Sequence, residues 1–84
     1  MKPNPIVEVM ERLGLTESSL AFVAGMTRPA IVNMCEGQPR RPPGRVLLAL
    51  RDLDPNMDWQ RLEAEYVAWR AENGRPGAIT RAGR

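Results

Sequence analysis

The stretch from Leu15 to Pro42, LTESSLAFVAGMTRPAIVNMCEGQPRRP, sets the architecture of the chain. Two short segments within it carry helical apolar spacing, and each follows a threonine, Thr16 for one and Thr27 for the other. A hydroxyl at that position accepts a hydrogen bond from a backbone N–H that the helix itself leaves free. Between the segments, Gly25 is the residue without Cβ that a sharp turn between packed helices needs. Two helices joined by a short, glycine-containing turn make a helix-turn-helix, the motif that lays its second helix in the DNA major groove. Gln38 to Gly44 (QPRRPPG) then excludes a helix and reads as a proline-stiffened loop presenting Arg40 and Arg41.

Upstream, Asn4-Pro5 is a helix start, because asparagine caps well and proline has no N–H to lose at the first helical position. Ile6, Val9, Met10 and Leu13 follow at helical spacing, Gly14 ends the helix, and Leu15 packs back onto that end. The second helix is expected over about Glu17 to Ala24, with Leu20, Ala21 and Ala24 inward. Ala21 is small enough to let the next helix cross closely; Phe22 and Val23 face elsewhere. The third is expected over about Arg28 to Glu36, with Ile31 and Met34 in the core, Pro29 tolerated in the first turn and Gly37 as the stop.

Downstream, a fourth helix is expected over about Arg45 to Leu53, with Val46, Leu47 and Leu50 inward and Asp54-Pro55 breaking it. Asn56 then caps a fifth, about Met57 to Asn73, ended by Gly74. The expectation is an all-α fold of five helices in one domain, residues 1–74, with the helix-turn-helix at about 16–37. Residues 75–84, rich in glycine and arginine, read as a flexible basic tail.

Composition narrows the function classes. At 84 residues the chain holds one small core, and Phe22, Trp59, Tyr66 and Trp69 are its only aromatic residues. Burial per residue is therefore modest, and self-association would help. No apolar run approaches the ~20 residues of a bilayer span, and MKPNPIVE lacks the apolar region of a secretory signal. A membrane is not expected as a partner, and a cytoplasmic location is. One cysteine and no histidine exclude a disulfide framework, leave no zinc ligand set and remove the commonest general base. No catalysis, cofactor or small-molecule ligand is expected.

Charge is segregated. Residues 1–27 carry −1, residues 28–51 carry +4 (Arg28, Arg40, Arg41, Arg45 and Arg51 against Glu36), residues 52–72 carry −4, and the tail carries +3. A basic middle between acidic flanks implies a localised footprint for a polyanion.

These residues carry a resemblance. Leu13 to Pro42, with LGLT at 13–16, then Leu20-Ala21, Gly25, Thr27, Ile31, Gly37 and Arg41-Pro42, resembles the DNA-binding domain of the lambda-type phage repressor and Cro family. Met57-Asp58-Trp59 also looks like the opening of that family's fifth helix, so the likeness covers roughly residues 5–62. It implies a compact five-helix domain binding an operator in double-stranded DNA as a homodimer. Two departures matter. The family's ion pair between the end of helix 3 and helix 1 is replaced by Cys35 and Met10, two apolar groups, which can be neutral or stabilising. Glu17 stands where the family often has a glutamine reaching DNA, and a carboxylate there repels phosphate unless it accepts from a cytosine amine.

Base contacts are thus expected from Arg28, Pro29, Ala30, Val32 and Asn33 on helix 3, with Glu17 beside them. Arg28 suits guanine and Asn33 adenine, each through a bidentate fork. Phosphate contacts are expected from Thr16 and Thr27 at the helix starts and from Gln38, Arg40, Arg41 and Arg45. Trp59, Leu62, Tyr66 and Trp69 alternate steps of three and four, the spacing of a pairing seam. Trp59 and Leu62 are expected first to close the monomer core, with pairing as their second reading, whereas Tyr66 and Trp69 lie beyond it and are expected between subunits. The rival expectation is a protein-interaction module on a degenerate helix-turn-helix, an antirepressor or antitoxin-like protein, favoured by Glu17, Pro29, Phe22 and Val23.

Overall fold

The computed structural model of the chain describes residues 2–73, in the order α1 (Pro5–Leu13), α2 (Glu17–Ala24), α3 (Arg28–Cys35), α4 (Gly44–Leu53) and α5 (Trp59–Asn73). Among the described residues there is no strand, so the fold is all-α. The stop at Gly74 and the tail at 75–84 lie outside them.

The side chains that start each of the first three helices are those the sequence singles out. Asn4 Oδ1 accepts from Ile6 N–H at 2.9 Å. Thr16 Oγ1 accepts from Ser19 N–H at 3.1 Å, while Ser19 Oγ accepts from Thr16 N–H at 2.8 Å, so the cap is reciprocal. Thr27 Oγ1 accepts from Ala30 N–H at 3.3 Å. The stops at Gly14, Gly25 and Gly37 share one geometry. Each glycine has positive φ, and the next residue's N–H reaches five residues back, Leu15 to Met10, Met26 to Ala21 and Gln38 to Asn33.

Helix boundaries shift at three places. α3 ends at Cys35, with Glu36 as its cap, and α4 begins one residue early, at Gly44. α5 begins at Trp59 rather than Met57, because Asp58 and not Asn56 is its cap. Asp58 Oδ1 accepts from Arg61 N–H at 3.1 Å and its carbonyl accepts from Leu62 N–H at 3.0 Å, whereas Met57 N–H closes a turn onto Asp54 O at 2.9 Å.

The core is the set of inward positions on all five helices. Ile6, Leu20, Ile31, Met34, Val46, Leu50 and Tyr66 are fully buried. Each such side chain contributes about 1.5–3 kcal/mol of transfer free energy. α2 packs on α3 and α4 through Leu20, Ala21 and Ala24, and α5 packs on α1 and α4. Cys35 Sγ lies 3.9 Å from Met10 Sδ, so the two sulfurs are in contact between α3 and α1.

Leu62 closes the monomer core as expected, and Tyr66, expected between subunits, lies in that core too. Leu62 and Tyr66 are buried inside the monomer, so they offer nothing to a second copy. Trp69 is half-buried against the same core; its ring lies 5.8 Å from that of Tyr66, and its indole N–H donates to Lys2 O at 2.8 Å. Trp59, at the start of the helix, is 36% exposed and stands outside the core instead of closing it. The three-four spacing marked an apolar stripe correctly. What covers the stripe is α1 and α4 of the same chain.

Candidate nucleic-acid interface

The turn between α2 and α3 is held from two sides. Gly25 adopts φ +68°, a conformation a side chain would strain, and Arg45 Nη1 donates to its carbonyl at 3.0 Å. Arg45, expected on phosphate, thus has one nitrogen on the turn while its side chain stays at the surface. The cap hydroxyls of Thr16 and Thr27 are both exposed, beside backbone N–H groups at the helix starts that carry the positive end of the helix dipole.

On α3 the outward residues are Arg28, Pro29 and Asn33, all exposed, while Ala30 and Val32 are half-buried. Arg28 Nη2 lies 3.3 Å from Glu17 Oε1, joining the first residue of α3 to the first residue of α2. Glu17 thus faces a guanidinium. The pair is open to water, with side chains 63% and 36% exposed, so it holds Arg28 only weakly. At the other end of α3, Glu36 is exposed and accepts from Gln38 Nε2 at 3.4 Å.

The arginine loop is braced. Arg40 and Arg41 are exposed, whereas Pro42 directly after them is buried. Just before them, Arg70 Nε donates to Gly37 O at 3.0 Å, Arg70 Nη2 to Gln38 O at 3.1 Å and the Tyr66 hydroxyl to Pro39 O at 2.8 Å. Asn4 completes the frame. Its amide nitrogen donates to Met34 O at 3.0 Å and Cys35 O at 3.2 Å, so one buried side chain starts α1 and finishes α3.

Sequence reasoning finds Asn4 as a cap but not its second role, and it misses Arg70 altogether. Both act on carbonyls about thirty residues away, which local spacing does not register. Cys35 is half-buried; burial, and then the Glu17 and Glu36 carboxylates, push its thiol up to about 11. That keeps it a neutral, slow nucleophile. Among the described residues, no cluster of three or more histidine, cysteine or acidic side chains is placed to hold a metal, and no helix is long and apolar enough to cross a membrane. No known protein family, curated protein or solved structure matches the chain.

Proposed function

We propose that the chain is a double-stranded-DNA-binding transcriptional regulator of the lambda-type repressor and Cro kind, a dimeric repressor that occupies an operator. The observation that carries this reading is the α2–α3 unit. Its helices meet at a left-handed Gly25, both start at exposed threonine caps, and the outward side of α3 presents Arg28, Pro29 and Asn33 before a braced arginine loop.

In this reading the helix starts and Gln38, Arg40, Arg41 and Arg45 bind phosphate, which supplies affinity without sequence preference. Arg28 exchanges Glu17 for a guanine edge, and Asn33 reads adenine. A bidentate base contact discriminates by ~1–3 kcal/mol, more than an exposed ion pair holds back, typically under ~1 kcal/mol. Two such contacts per half-site give limited selectivity, which pairing two half-sites amplifies. With Leu62 and Tyr66 committed to the core, pairing through α5 falls on its outward stripe, exposed Ala64, Val67 and Ala71, at steps of three and four.

Binding of labelled random duplex as salt rises tests the reading. The parent should bind at low salt, with log affinity falling linearly against log salt, and Arg41→Ala should flatten that slope by about 1. Affinity indifferent to salt, or none at low salt, overturns it. The rival reading, a protein-binding module, has one observation in its favour: Phe22 is 86% exposed on α2, with Val23 beside it. A parent that ignores duplex DNA at low salt would turn the choice toward that reading.

A further inference from the structure

We infer that α5 is the brace that holds the arginine loop in its phosphate-binding shape, with Arg70 and Tyr66 as positioning residues for Arg40 and Arg41; the inference rests on the DNA reading above. Where α3 ends and the loop begins, nearly every carbonyl has a donor. Asn33 O accepts from Gln38 N–H, Met34 O from Gly37 N–H and the Asn4 amide, and Cys35 O from the Asn4 amide. Gly37 O and Gln38 O accept from Arg70, and Pro39 O accepts from Tyr66. Of the seven carbonyls from residue 33 to residue 39, those six have a named donor. Three of the six are held from α5.

Immediately afterwards Pro42 is buried. Arg40 and Arg41 are therefore a two-residue span between an anchored carbonyl and an anchored ring. Proline at 39 and 42 fixes φ on either side. The chain thus loses little backbone freedom on meeting a phosphate, because it has already lost it.

The two α5 residues suit the task. A guanidinium presents its N–H groups as a planar fork, which matches two successive carbonyls in a way an ammonium does not. Its charge also sits at the negative end of the α3 dipole. Tyr66 is fully buried, and burial raises its hydroxyl to about 12, so it stays a donor throughout the neutral range. A core position needing only an apolar ring would be served by phenylalanine, so the hydroxyl marks the contact to Pro39 as its purpose.

The test uses the full chain with Tyr66→Phe and Arg70→Met, each checked for folding by circular dichroism. Tyr66→Phe removes no charge, yet duplex binding should weaken about 10-fold as loop ordering returns to the cost of binding. Arg70→Met should weaken it at least as much. In a background carrying Arg40→Ala and Arg41→Ala, both substitutions should have no further effect on binding. A loss of equal size in that background overturns the brace, since it would mean direct contact by Arg70 or general loosening. Amide exchange gives a readout independent of DNA: Gly37 and Gln38, whose N–H groups donate to Met34 O and Asn33 O, should exchange faster in Tyr66→Phe while core amides keep their protection. Unchanged exchange with unchanged binding overturns the brace alone. A parent that binds no duplex overturns the DNA reading, and the phosphate role falls with it.

Discussion

Asn4 is one side chain that ties two helix ends together, the start of α1 and the end of α3. It is 5% exposed, its Oδ1 caps α1, and its amide nitrogen ends α3 through Met34 O and Cys35 O. Asn4→Ala removes the cap, worth about 1 kcal/mol. Met34 O keeps the Gly37 N–H at 3.0 Å, but Cys35 O loses its amide donor. A fully buried acceptor left alone costs about 1–3 kcal/mol; Cys35 O is part-buried, which puts its loss at the lower end and the expected total at about 2–3 kcal/mol. For a domain of this size that is a fall of about 10–25 °C in Tm, read by circular dichroism at 222 nm with urea unfolding alongside.

Two companions divide the effect. Asn4→Ser keeps a capping oxygen and loses only the bridge to α3, so it should fall between parent and Asn4→Ala. Asn4→Asp keeps the cap but turns the second atom into an oxygen facing two carbonyls. That raises the folded-state pKa of the new carboxyl above its unfolded value of about 4. Stability of this variant relative to the parent is then best below that pH and is lost as pH rises through the folded value. An Asn4→Ser variant as stable as the parent, or an Asn4→Asp variant indifferent to pH, would refute the bridge.

Gly25→Ala places a side chain at φ +68° in otherwise open space, since the nearest atom to the new Cβ is Arg45 Nη1 at 4.0 Å. The cost is then conformational, about 1–2 kcal/mol, and the urea midpoint should report it without a change in m-value. Glu17→Gln removes a carboxylate from an exposed pair, so Tm should move by only a few degrees, whereas low-salt duplex affinity should rise several-fold; an unchanged affinity removes Glu17 from the interface. Cys35 should react with a disulfide reagent at pH 8 about 100-fold more slowly than after unfolding in urea, following its thiolate fraction. The same thiol is raised from 9.0 to about 11 and the Tyr66 hydroxyl from 10.0 to about 12. Both contributions to stability are fully present below pH 9 and are lost as pH rises through the folded values, so Tm measured from pH 8 upward should fall.

Much of the fold is legible because its punctuation is local. Asn4-Pro5, Thr16 and Thr27 act on N–H groups two or three residues on, and Gly14 and Gly25 act within one turn. Where two capping residues compete within three positions, as Asn56 and Asp58 do, spacing alone does not choose. The structure chooses Asp58 because Asp54-Pro55 is already committed to a turn. The stripe on α5 is legible as apolar but not as internal, since periodicity describes one helix and not what lies against it. Tyr66 shows this most clearly, sought at a surface and found in the core. Arg70 is silent in the sequence for a related reason. Its partners are carbonyls, which every residue has, and nothing in their identity points to it.

The indole of Trp69 and the carbonyl of Lys2, sixty-seven positions apart, meet at 2.8 Å. The order in which the ribosome releases the chain gives this contact a meaning in time. Thr16, Gly25 and Thr27 emerge early, and the α2–α3 corner can form from local bonds alone. Leu62, Tyr66, Arg70 and Trp69 emerge later, and until then Ile6, Leu50 and the carbonyls of Gly37, Gln38 and Pro39 lack their α5 partners. A nascent chain halted near residue 58 therefore shows solvent an apolar face where the finished protein has none. α5 completes α1 across the length of the described chain, and the arginine loop takes its final shape only once α5 has emerged.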